Sequence, residues 1–525
     1  MHCQISNPIG LQLPPYFFSF CNITHLQPIN TRTSIVSSAS ISQVHNYGTV
    51  DFERKPPVQW NHLYKRISLS GLGSGEVLEE WMMQGRKISK WELRRISKEL
   101  RKFRRFYLAL QVYEWMISKG EKFTLSSSDI AIQLDLVAKV HGMSSAEDIF
   151  VKLSDFQKNE RTYGAILHVY SQSKEREKAE TIFEKMKKES LITNALPFNE
   201  MMNLYMSLGE YNKVDSIVQE MKDNATPFDI YSYHIWICTC GAMMDVEKME
   251  RVLEEMTQDK NVNPNWTTHS TLATLYIKLG LLEKAEHHLK EVEQKLTGRD
   301  RHPYNFLISL YGKIGDKEGI YRIWNLYKSS FQSIPNSSYY ALICSLVKVG
   351  DVEGAEEFYK EWEAIKVKYD PRITNFLMAS YVRGGLLKKA EELFERASRN
   401  GGTANPSTWE ILAEGYTRDR EIGKALHCLN EAASVKRFRR WAPKPVNVEA
   451  VMKVCEETGD VENVEQFVEL MRSLKCLNAG TYKSLVKTYA KAGKSVNDVI
   501  LSMEKDEIAI DEEMEMLLNE LRERV

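Results

Sequence analysis

The sequence predicts an all-α protein, an α-solenoid (right-handed superhelix) of about 10–12 helix-turn-helix repeats of 35 residues. Three observations predict it. One residue layout recurs at a nearly constant interval, apolar residues within each copy follow helical spacing, and glycine recurs at one place in most copies. A chain of 525 residues would otherwise divide into several ordinary domains, so the repeats favour one continuous architecture instead.

The repeats are easiest to follow from one residue, the anchor, which directly follows the Tyr of the stretch TYG at residues 162–164. Consecutive anchors are separated by 35, 35, 36, 35, 35, 35, 35, 39 and 34 residues. The ten anchors are Gly164, Asn199, His234, Ser270, Asn305, Tyr340, Asn375, Glu410, Glu449 and Lys483. Weaker copies precede them around Ala109 and Ala146. Such regularity is typical of a repeat array.

Each copy predicts two helices and a turn. Apolar residues two, three and six places after the anchor form one helical stripe, as in Leu307, Ile308 and Tyr311. Ten places after the anchor stands glycine in seven of ten copies, which indicates a helix end because glycine adopts the left-handed conformation at little cost. A hairpin cannot bury its stripe alone, so stacked hairpins should form one core and a long concave face. The Met, Tyr and Trp stripes are therefore interpreted as core, and no cofactor is predicted.

The ends of the chain differ from the array. Residues 1–50 contain no Asp or Glu and many hydroxyl residues, a composition typical of an organelle transit peptide. A merely disordered leader is the alternative. We predict a transit peptide over 1–48, a linker and lead-in over 49–85, the repeat array over 86–500, and a C-terminal capping helix over 501–525.

Composition excludes several classes of function. The formal net charge is −1, so the chain as a whole lacks the positive charge that would indicate nucleic-acid binding. The eight cysteines are scattered and no C-x-x-C pair occurs, which argues against a disulfide framework, a zinc site or a deaminase domain. No apolar run reaches the length of a membrane span. Neither a Walker loop nor a serine elbow is present, so the sequence predicts no enzyme and no small-molecule substrate.

The hairpin with TY before the anchor, Gly after the first helix and Ala in the second resembles the pentatricopeptide repeat. The stretches SLYGKIGDKEGIYRIW and SYVRGGLLKKAEELFERA carry the resemblance, which extends over residues 86–500. It is closest to the P-class arrays of plant organelles. The alternative, the tetratricopeptide repeat, has a period of about 34 residues and a different opening motif, and this chain has neither.

The resemblance implies single-stranded RNA binding with one base per repeat. Members of the family read each base with the anchor and the last residue of the same repeat. The implied pairs are Asn199 with Asp229 for uracil, Ser270 with Asp300 for guanine, and Asn375 with Asn405 for a pyrimidine. Short polar side chains suit this role because they hydrogen-bond base edges and are left unpaired by the wrong base. For any single Asn here, helix capping is the alternative.

Other anchors fit this pattern of base-reading residues less well. Asn305 also implies a pyrimidine, but Pro335 stands where its partner should be. Gly164 has almost no side chain, and Glu410 and Glu449 are expected to repel phosphate. The remaining anchors outside the usual short polar set are His234, Tyr340 and Lys483.

A column of basic residues also indicates RNA binding, and it does so independently of the anchor pairs. Eight places after the anchor, six of ten copies carry Lys278, Lys313, Lys348, Arg383, Arg418 and Lys491. A row of cations one repeat apart suits a phosphate backbone. The alternative is that each charge only stabilises its own helix C-terminus. A second basic feature is residues 86–105, with ten Lys or Arg against two Glu, for which exposed helix faces are the alternative.

Together these patterns predict an organellar protein that binds single-stranded RNA in RNA processing, stability or translation, located in the mitochondrion, with the chloroplast as alternative. The alternative function is a structural repeat protein, associated with the mitochondrial ribosome or serving as a protein scaffold. The anchors that are not short polar residues favour the structural function. The basic column and the Asn and Ser anchors favour RNA binding.

Overall fold

A computed structural model of the chain describes residues 59–69, 71–365, 368–435 and 441–523. Those residues form 27 α-helices and one short 3-10 helix, without any β-strand. They divide into two compact units, which meet in the sequence between Leu296 and Thr297. The predicted transit peptide lies outside the described residues. The all-α repeat architecture is confirmed, and each unit is built from consecutive helical hairpins.

The N-terminal unit contains seven hairpins, and a 3-10 helix at Gly120–Phe123 follows the second. Its helices are α1 Gln59–Leu69, α2 Ser74–Met83, α3 Lys90–Lys102, α4 Phe106–Ser118, α5 Ser127–His141, α6 Met143–Val151, α7 Glu160–Gln172, α8 Arg176–Lys188, α9 Leu196–Leu208, α10 Tyr211–Asp223, α11 Ile230–Ala242, α12 Val246–Gln258, α13 Trp266–Lys278 and α14 Leu282–Gln294.

The C-terminal unit contains six hairpins and a final helix. Its helices are α15 His302–Ile314, α16 Lys317–Ser330, α17 Asn336–Lys348, α18 Val352–Ile365, α19 Pro371–Arg383, α20 Leu387–Arg399, α21 Pro406–Arg418, α22 Ile422–Ser434, α23 Pro445–Thr458, α24 Val461–Ser473, α25 Ala479–Lys491, α26 Asn497–Lys505 and α27 Glu512–Glu523. In both units the odd-numbered helix is the first of its hairpin.

Several first helices begin on a capping side chain. The carboxylate of Asp229 accepts hydrogen bonds from the backbone N–H groups of Tyr231 and Ser232 at the start of α11. The side-chain oxygens of Asn265 and Asn405 cap α13 and α21 in the same way. Each cap satisfies N–H groups that have no partner within the helix. Capping residues therefore sit at the boundary between one repeat and the next.

The turn inside each of the ten anchored hairpins contains a left-handed residue. All ten positions that lie ten places after an anchor have positive φ, as at Gly209 (76°) and Gly315 (83°). The three positions without glycine keep the same conformation, with φ of 59° at Lys174, 59° at Met244 and 62° at Arg420. The turn is therefore set by the fold, and glycine is the residue that adopts it at least cost.

The core runs between the paired helices. The alanines fifteen places after the anchor are completely buried: Ala179, Ala285, Ala355, Ala390 and Ala425. Large aromatic side chains such as Trp324 and Trp362 are buried beside them. This burial confirms the prediction that the aromatic and methionine stripes form the core. The small residues at the crossing points let the helices approach closely.

The structure places two segments differently from the expected boundaries. Helices α1 and α2 form a hairpin within residues 49–85, where a linker and lead-in were predicted, and Leu63 and Ile67 of α1 are buried. This hairpin lacks the TY-anchor pattern, so the periodicity did not reveal it. Helix α26 crosses residue 500, where the array was expected to end, and the final helix α27 begins at Glu512.

Candidate nucleic-acid interface

The first helices of consecutive hairpins pack side by side within each unit. Helix α9 contacts α11 in the N-terminal unit, and α17 contacts α19 in the C-terminal unit. The anchor is close to the N-terminus of its helix, so it faces the start of the next first helix. An anchor and the capping residue of the following hairpin can therefore touch, although they are 30 residues apart in sequence.

Asn199 makes this contact in the N-terminal unit. Its side-chain Nδ2 donates to Asp229 Oδ1 at 3.1 Å, and its Oδ1 accepts a hydrogen bond from the Ser232 hydroxyl at 2.8 Å. The same Ser232 hydroxyl lies 3.0 Å from Asp229 Oδ1. Asn199 is only 2% exposed. Two side chains of the next hairpin thus fix the orientation of the Asn199 carboxamide.

Asn375 repeats the arrangement in the C-terminal unit. Its Nδ2 donates to Asn405 Oδ1 at 3.1 Å, and its Oδ1 accepts from the Thr408 hydroxyl at 2.8 Å. Asn375 is 7% exposed. The same geometry at two separate hairpins shows that the anchor and the last residue of a repeat form one polar unit. The pairing of Asn199 with Asp229, and of Asn375 with Asn405, is thus a direct contact.

The other two predicted pairs look different. Ser270 is buried on α13 of the N-terminal unit, and its hydroxyl has no hydrogen-bond partner among the described residues. Asp300 belongs to the C-terminal unit, where it accepts a hydrogen bond from the backbone N–H of His302 at 3.0 Å. Among the described residues, the buried Oδ1 of Asn305 has no hydrogen-bond partner either. Pro335 precedes α17 and provides no side-chain cap. Assignment of bases to these anchors remains a prediction.

His234 is held much as an asparagine would be. Its Nε2 lies 2.8 Å from the Thr268 hydroxyl, while its Nδ1 is buried without a hydrogen-bond partner among the described residues. Burial lowers the pKa of His234 to about 4, although Asp229 opposes the shift. The imidazole is therefore neutral near pH 7 and adds no positive charge to the anchor column.

Two charged anchors are engaged in joining hairpins. Glu410 is 2% exposed, and its Oε1 accepts hydrogen bonds from the Lys444 backbone N–H at 2.7 Å and from Asn447 Nδ2 at 3.2 Å. The next hairpin thus covers and partners the Glu410 carboxylate, and its repulsion of phosphate stays a prediction. Lys483 pairs with Asp511 at 2.9 Å, at the start of the final helix α27. Glu449 is exposed.

The basic column lies at the C-terminal ends of the first helices. Lys278, Lys348 and Arg383 are the last residues of their helices, and Lys313 is the last but one of α15. All four side chains are exposed. Arg418 also ends its helix, but it donates to the carbonyl of Val382 at 2.6 Å. The sequence could not reveal that difference, because it depends on the neighbouring hairpin.

Adjacent cations of the column influence one another within the C-terminal unit. Although part of the Lys313 side chain is exposed, desolvation by the surrounding protein lowers its pKa, and the positive charge of Lys348 lowers it further. Burial raises the pKa of the Cys344 thiol to about 12, and the charges of Lys348 and Arg383 oppose that rise. Three consecutive cations therefore contribute to one electropositive strip. An anion placed there would relieve their repulsion.

Sequence reasoning missed two members of the column. Lys102 ends α3 as Lys278 ends α13, and Lys139 is near the end of α5. Lys139 pairs with Asp135 at 2.6 Å, whereas Lys102 is exposed and its ammonium lies 5.8 Å from the Phe103 ring. In the sequence, each of these lysines is marked only by its place at the end of a first helix. The anchor pattern is weak in these two hairpins, so the register that would assign them to the column is not visible there.

Metal and membrane sites receive no support from the part of the chain that is described. Its side chains form no group of three or more His, Cys, Asp and Glu that could hold a metal ion. None of its helices is both long and apolar enough to cross a lipid bilayer.

The repeats match a known family. Residues 151–207 match the pentatricopeptide repeat domain, and residues 197–224, 337–367 and 373–402 match the PPR repeat. A pentatricopeptide repeat-containing protein of Arabidopsis thaliana is 50% identical over 450 residues, which cover 85% of this chain and 86% of the relative. The chain belongs to the pentatricopeptide repeat family, and the resemblance seen in the sequence is confirmed.

Other similar proteins carry more specific names. A mitochondrial pentatricopeptide repeat-containing protein of Arabidopsis thaliana is 36% identical, with 87% of this chain and 92% of the relative covered. The large ribosomal subunit protein mL101 of the same organism is 37% identical, with 88% and 95% covered. The crystal structure of the pentatricopeptide repeat protein PPR10 from maize is 18% identical and covers 86% of this chain and 69% of that chain, with a TM-score of 0.45.

Proposed function

We propose that this protein is an organellar single-stranded RNA-binding protein that acts in RNA processing, stability or translation and has no enzymatic activity. The observation that carries the proposal is the Asn199–Asp229 contact and its repetition at Asn375 and Asn405. Polar units of this kind, one per repeat, can recognise consecutive bases by hydrogen bonding. Membership of the pentatricopeptide repeat family supports the same function.

The hydrogen-bond donors and acceptors agree with the proposed bases. A carboxamide has two N–H groups, and the Asn199 amide uses one of them on Asp229. The other can donate to a carbonyl oxygen of a pyrimidine. The Asp229 carboxylate then favours uracil, whose N3 carries a proton, over cytosine, whose N3 is an acceptor. The neutral Asn405 amide makes no such distinction, which agrees with a general pyrimidine preference at Asn375.

The basic column would hold the RNA backbone. Lys278, Lys313, Lys348 and Arg383 recur one repeat apart, and each can neutralise a phosphate without reading the sequence. Glu410 and Lys483 are already engaged between hairpins. We therefore place the reading anchors at Asn199, Ser270, Asn305 and Asn375, and we exclude Glu410 and Lys483 from base recognition.

The experiment replaces four cations together. A variant with Lys278→Gln, Lys313→Gln, Lys348→Gln and Arg383→Gln should bind any single-stranded RNA more weakly. The slope of log affinity against log salt concentration should flatten by up to about 0.7 per lost contact. The matched control changes four exposed lysines of second helices to Gln: Lys290, Lys360, Lys388 and Lys424. Equal affinity of the first variant and the parent at low salt would contradict the proposal.

A structural role in the mitochondrial ribosome is the second candidate. It is favoured by the 37% identity to the ribosomal protein mL101 and by the anchors that join hairpins instead of facing a ligand. Sedimentation of tagged protein from organelle extracts separates the two functions. A protein that migrates only with ribosomal particles, and leaves them only when they are dissociated, would have the structural role.

We propose the mitochondrion as the location, with the chloroplast as the alternative. Support comes from relatives that are named as mitochondrial and from the acid-free N-terminal 50 residues. A fusion of residues 1–60 to a fluorescent protein should enter mitochondria and be shortened there. Retention of the fusion in the cytosol would refute the proposal, and entry into chloroplasts would select the alternative.

A further inference from the structure

A basic and aromatic surface lies at the turn between α3 and α4, and the anchors do not account for it. We call Lys98, Lys102, Phe103, Arg104, Arg105 and Tyr107 the N-terminal patch. The two rings are unusually open, since Phe103 is 47% exposed and Tyr107 is 58% exposed. All four basic side chains are exposed as well. The surface therefore combines flat apolar faces with positive charge.

No acidic side chain in the described part of the chain neutralises the charges of the N-terminal patch. Elsewhere in residues 86–105, Arg94 pairs with Asp129 at 2.6 Å and Arg95 pairs with Glu99 at 3.7 Å. Among the described residues, the four patch cations form no ion pair with an acidic side chain. Lys102 lies over the Phe103 ring instead. A surface of four cations without acidic partners is complementary to a polyanion.

The patch is held in place by the two first hairpins. Arg104 has a φ of 56°, which makes the sharp turn out of α3. The guanidinium of Arg105 donates to the carbonyl of Ser68 at the end of α1, so the turns of the first two hairpins are tied together. Leu69 and Leu72, which are 82% and 48% exposed, lie at the turn of the first hairpin. Exposed apolar side chains therefore occur at both turns.

We propose that the N-terminal patch binds a segment of single-stranded RNA that lies beyond the bases read by the anchors. Exposed aromatic rings stack on unpaired bases, while neighbouring cations hold the phosphates. A duplex does not offer its base faces to such rings, because its bases are already stacked and paired. Within the N-terminal unit, Lys102 ends α3 as Lys278 ends α13, so a strand that follows the ends of the first helices leads to the patch. This inference rests on the proposed RNA-binding function.

The test compares a short RNA core of mixed sequence, with U at the place of Asn199 and G at that of Ser270, with the same core extended by about ten uridines. The extension is at the 5′ end in one series and at the 3′ end in another. The full chain should bind the longer probe more tightly in one of the two series. A variant with Phe103→Ala, Arg104→Gln and Tyr107→Ala should lose that gain, by about tenfold for each lost stacking contact, and should bind the shorter probe as before. Because these side chains are exposed, the melting temperature should not change.

The matched control carries Phe156→Ala and Lys152→Gln, which remove another ring and cation of the same unit; Phe156 is 93% exposed. It should keep the gain from the longer probe. If the patch variant keeps that gain too, the patch inference is overturned while the proposed function stands. If the parent binds neither probe, both are overturned. Loss of sedimentation with ribosomal particles, with RNA binding unchanged, would assign the patch to a protein partner and also overturn the inference.

Discussion

The side chain of Asn199 donates a hydrogen bond to Asp229 at 3.1 Å, and this contact joins the first helix of one hairpin to the cap of the next. The Asp229 carboxylate accepts hydrogen bonds from backbone N–H groups of α11 at the same time. One carboxylate thus has both roles that the sequence had left as alternatives, helix capping and pairing with the anchor. The helix cap fixes the carboxylate, and the fixed carboxylate orients the anchor amide.

Replacing Asn199 by threonine should change which base this repeat prefers. A threonine hydroxyl beside Asp229 would resemble the Ser270–Asp300 combination, so the preference should move from uracil toward guanine by about tenfold. Stability should fall by only about 1 kcal/mol, because the Ser232 hydroxyl keeps Asp229 as a partner. Competition binding with RNAs that differ at one nucleotide measures the shift. The control is Asn212→Thr on α10, an exposed residue, and an unchanged preference in Asn199→Thr would contradict the reading role.

Replacing Lys313 by glutamine should weaken RNA binding without lowering stability. Partial burial and the charge of Lys348 lower the pKa of Lys313, so its positive charge is unfavourable in the folded protein. Its loss should leave the melting temperature unchanged or slightly higher, while RNA affinity falls. If Lys313 only stabilised its own helix C-terminus, the melting temperature would fall and RNA affinity would not. Calorimetry and a binding titration on the same preparation distinguish these results.

The stability of the N-terminal unit should decrease at alkaline pH because of His168. Its Nδ1 lies 3.2 Å from Glu200 Oε2, and its Nε2 lies 3.8 Å from Asp135. Burial opposes protonation, but the two carboxylates outweigh burial and the nearby Lys139, and they raise the pKa of His168. A raised pKa gives stability that is fully present below the unfolded value of about 6.5. That stability is lost as pH rises through the folded value.

Unfolding free energy measured from about pH 6.5 upward isolates this effect. Burial lowers the pKa of His234 and His288 to about 4, so their contributions change only below the ordinary histidine range. His168→Gln should remove the decrease between about pH 6.5 and about pH 8, below the range in which thiols and tyrosines ionise. His427→Gln, at an exposed site, should keep the decrease. A parent protein whose stability is flat there would show that the His168 pKa is not raised.

Glu410 should matter for stability and not for base preference. Glu410→Ala leaves the Lys444 backbone N–H and the Asn447 amide without their acceptor, which should cost about 2–3 kcal/mol. Glu449→Ala is the matched control, because it removes the same side chain from the next anchor, where the residue is exposed. Urea unfolding compares the two variants. Equal stabilities would mean that the contact between the hairpins contributes little.

A glycine at position 244 should stabilise the protein. Met244 has a φ of 59° and is 66% exposed, so its side chain contributes little packing and the backbone is strained. Met244→Gly should raise stability by up to about 1 kcal/mol, since a left-handed conformation costs other residues about that much. Gly209→Ala, at the equivalent turn, should lower stability by a similar amount. Thermal unfolding of the two variants should give shifts of opposite sign, and shifts of one sign would contradict the argument.

The array itself was predictable from local patterns. A period near 35 residues, an apolar stripe and a glycine turn are each encoded within one repeat, so they predicted hairpins from Gly164 onward. The positive φ at Lys174, Met244 and Arg420 shows that the periodicity located turns even where glycine is absent. The first hairpin, α1 with α2, was missed because it lacks the local pattern and is recognised only by its packing.

The sequence by itself thus determined the all-α repeat architecture, the register of the anchors and the family to which the chain belongs. The tertiary structure alone decided what each anchor does. Asn199 and Asn375 are oriented by caps 30 residues away, whereas the Glu410 carboxylate accepts hydrogen bonds from the Lys444 backbone and the Asn447 amide of the next hairpin. The physical reason is that hairpin formation depends on residues close in sequence. The hydrogen bonds, burial and charge of an anchor depend on the neighbouring hairpin, which only the fold brings into contact.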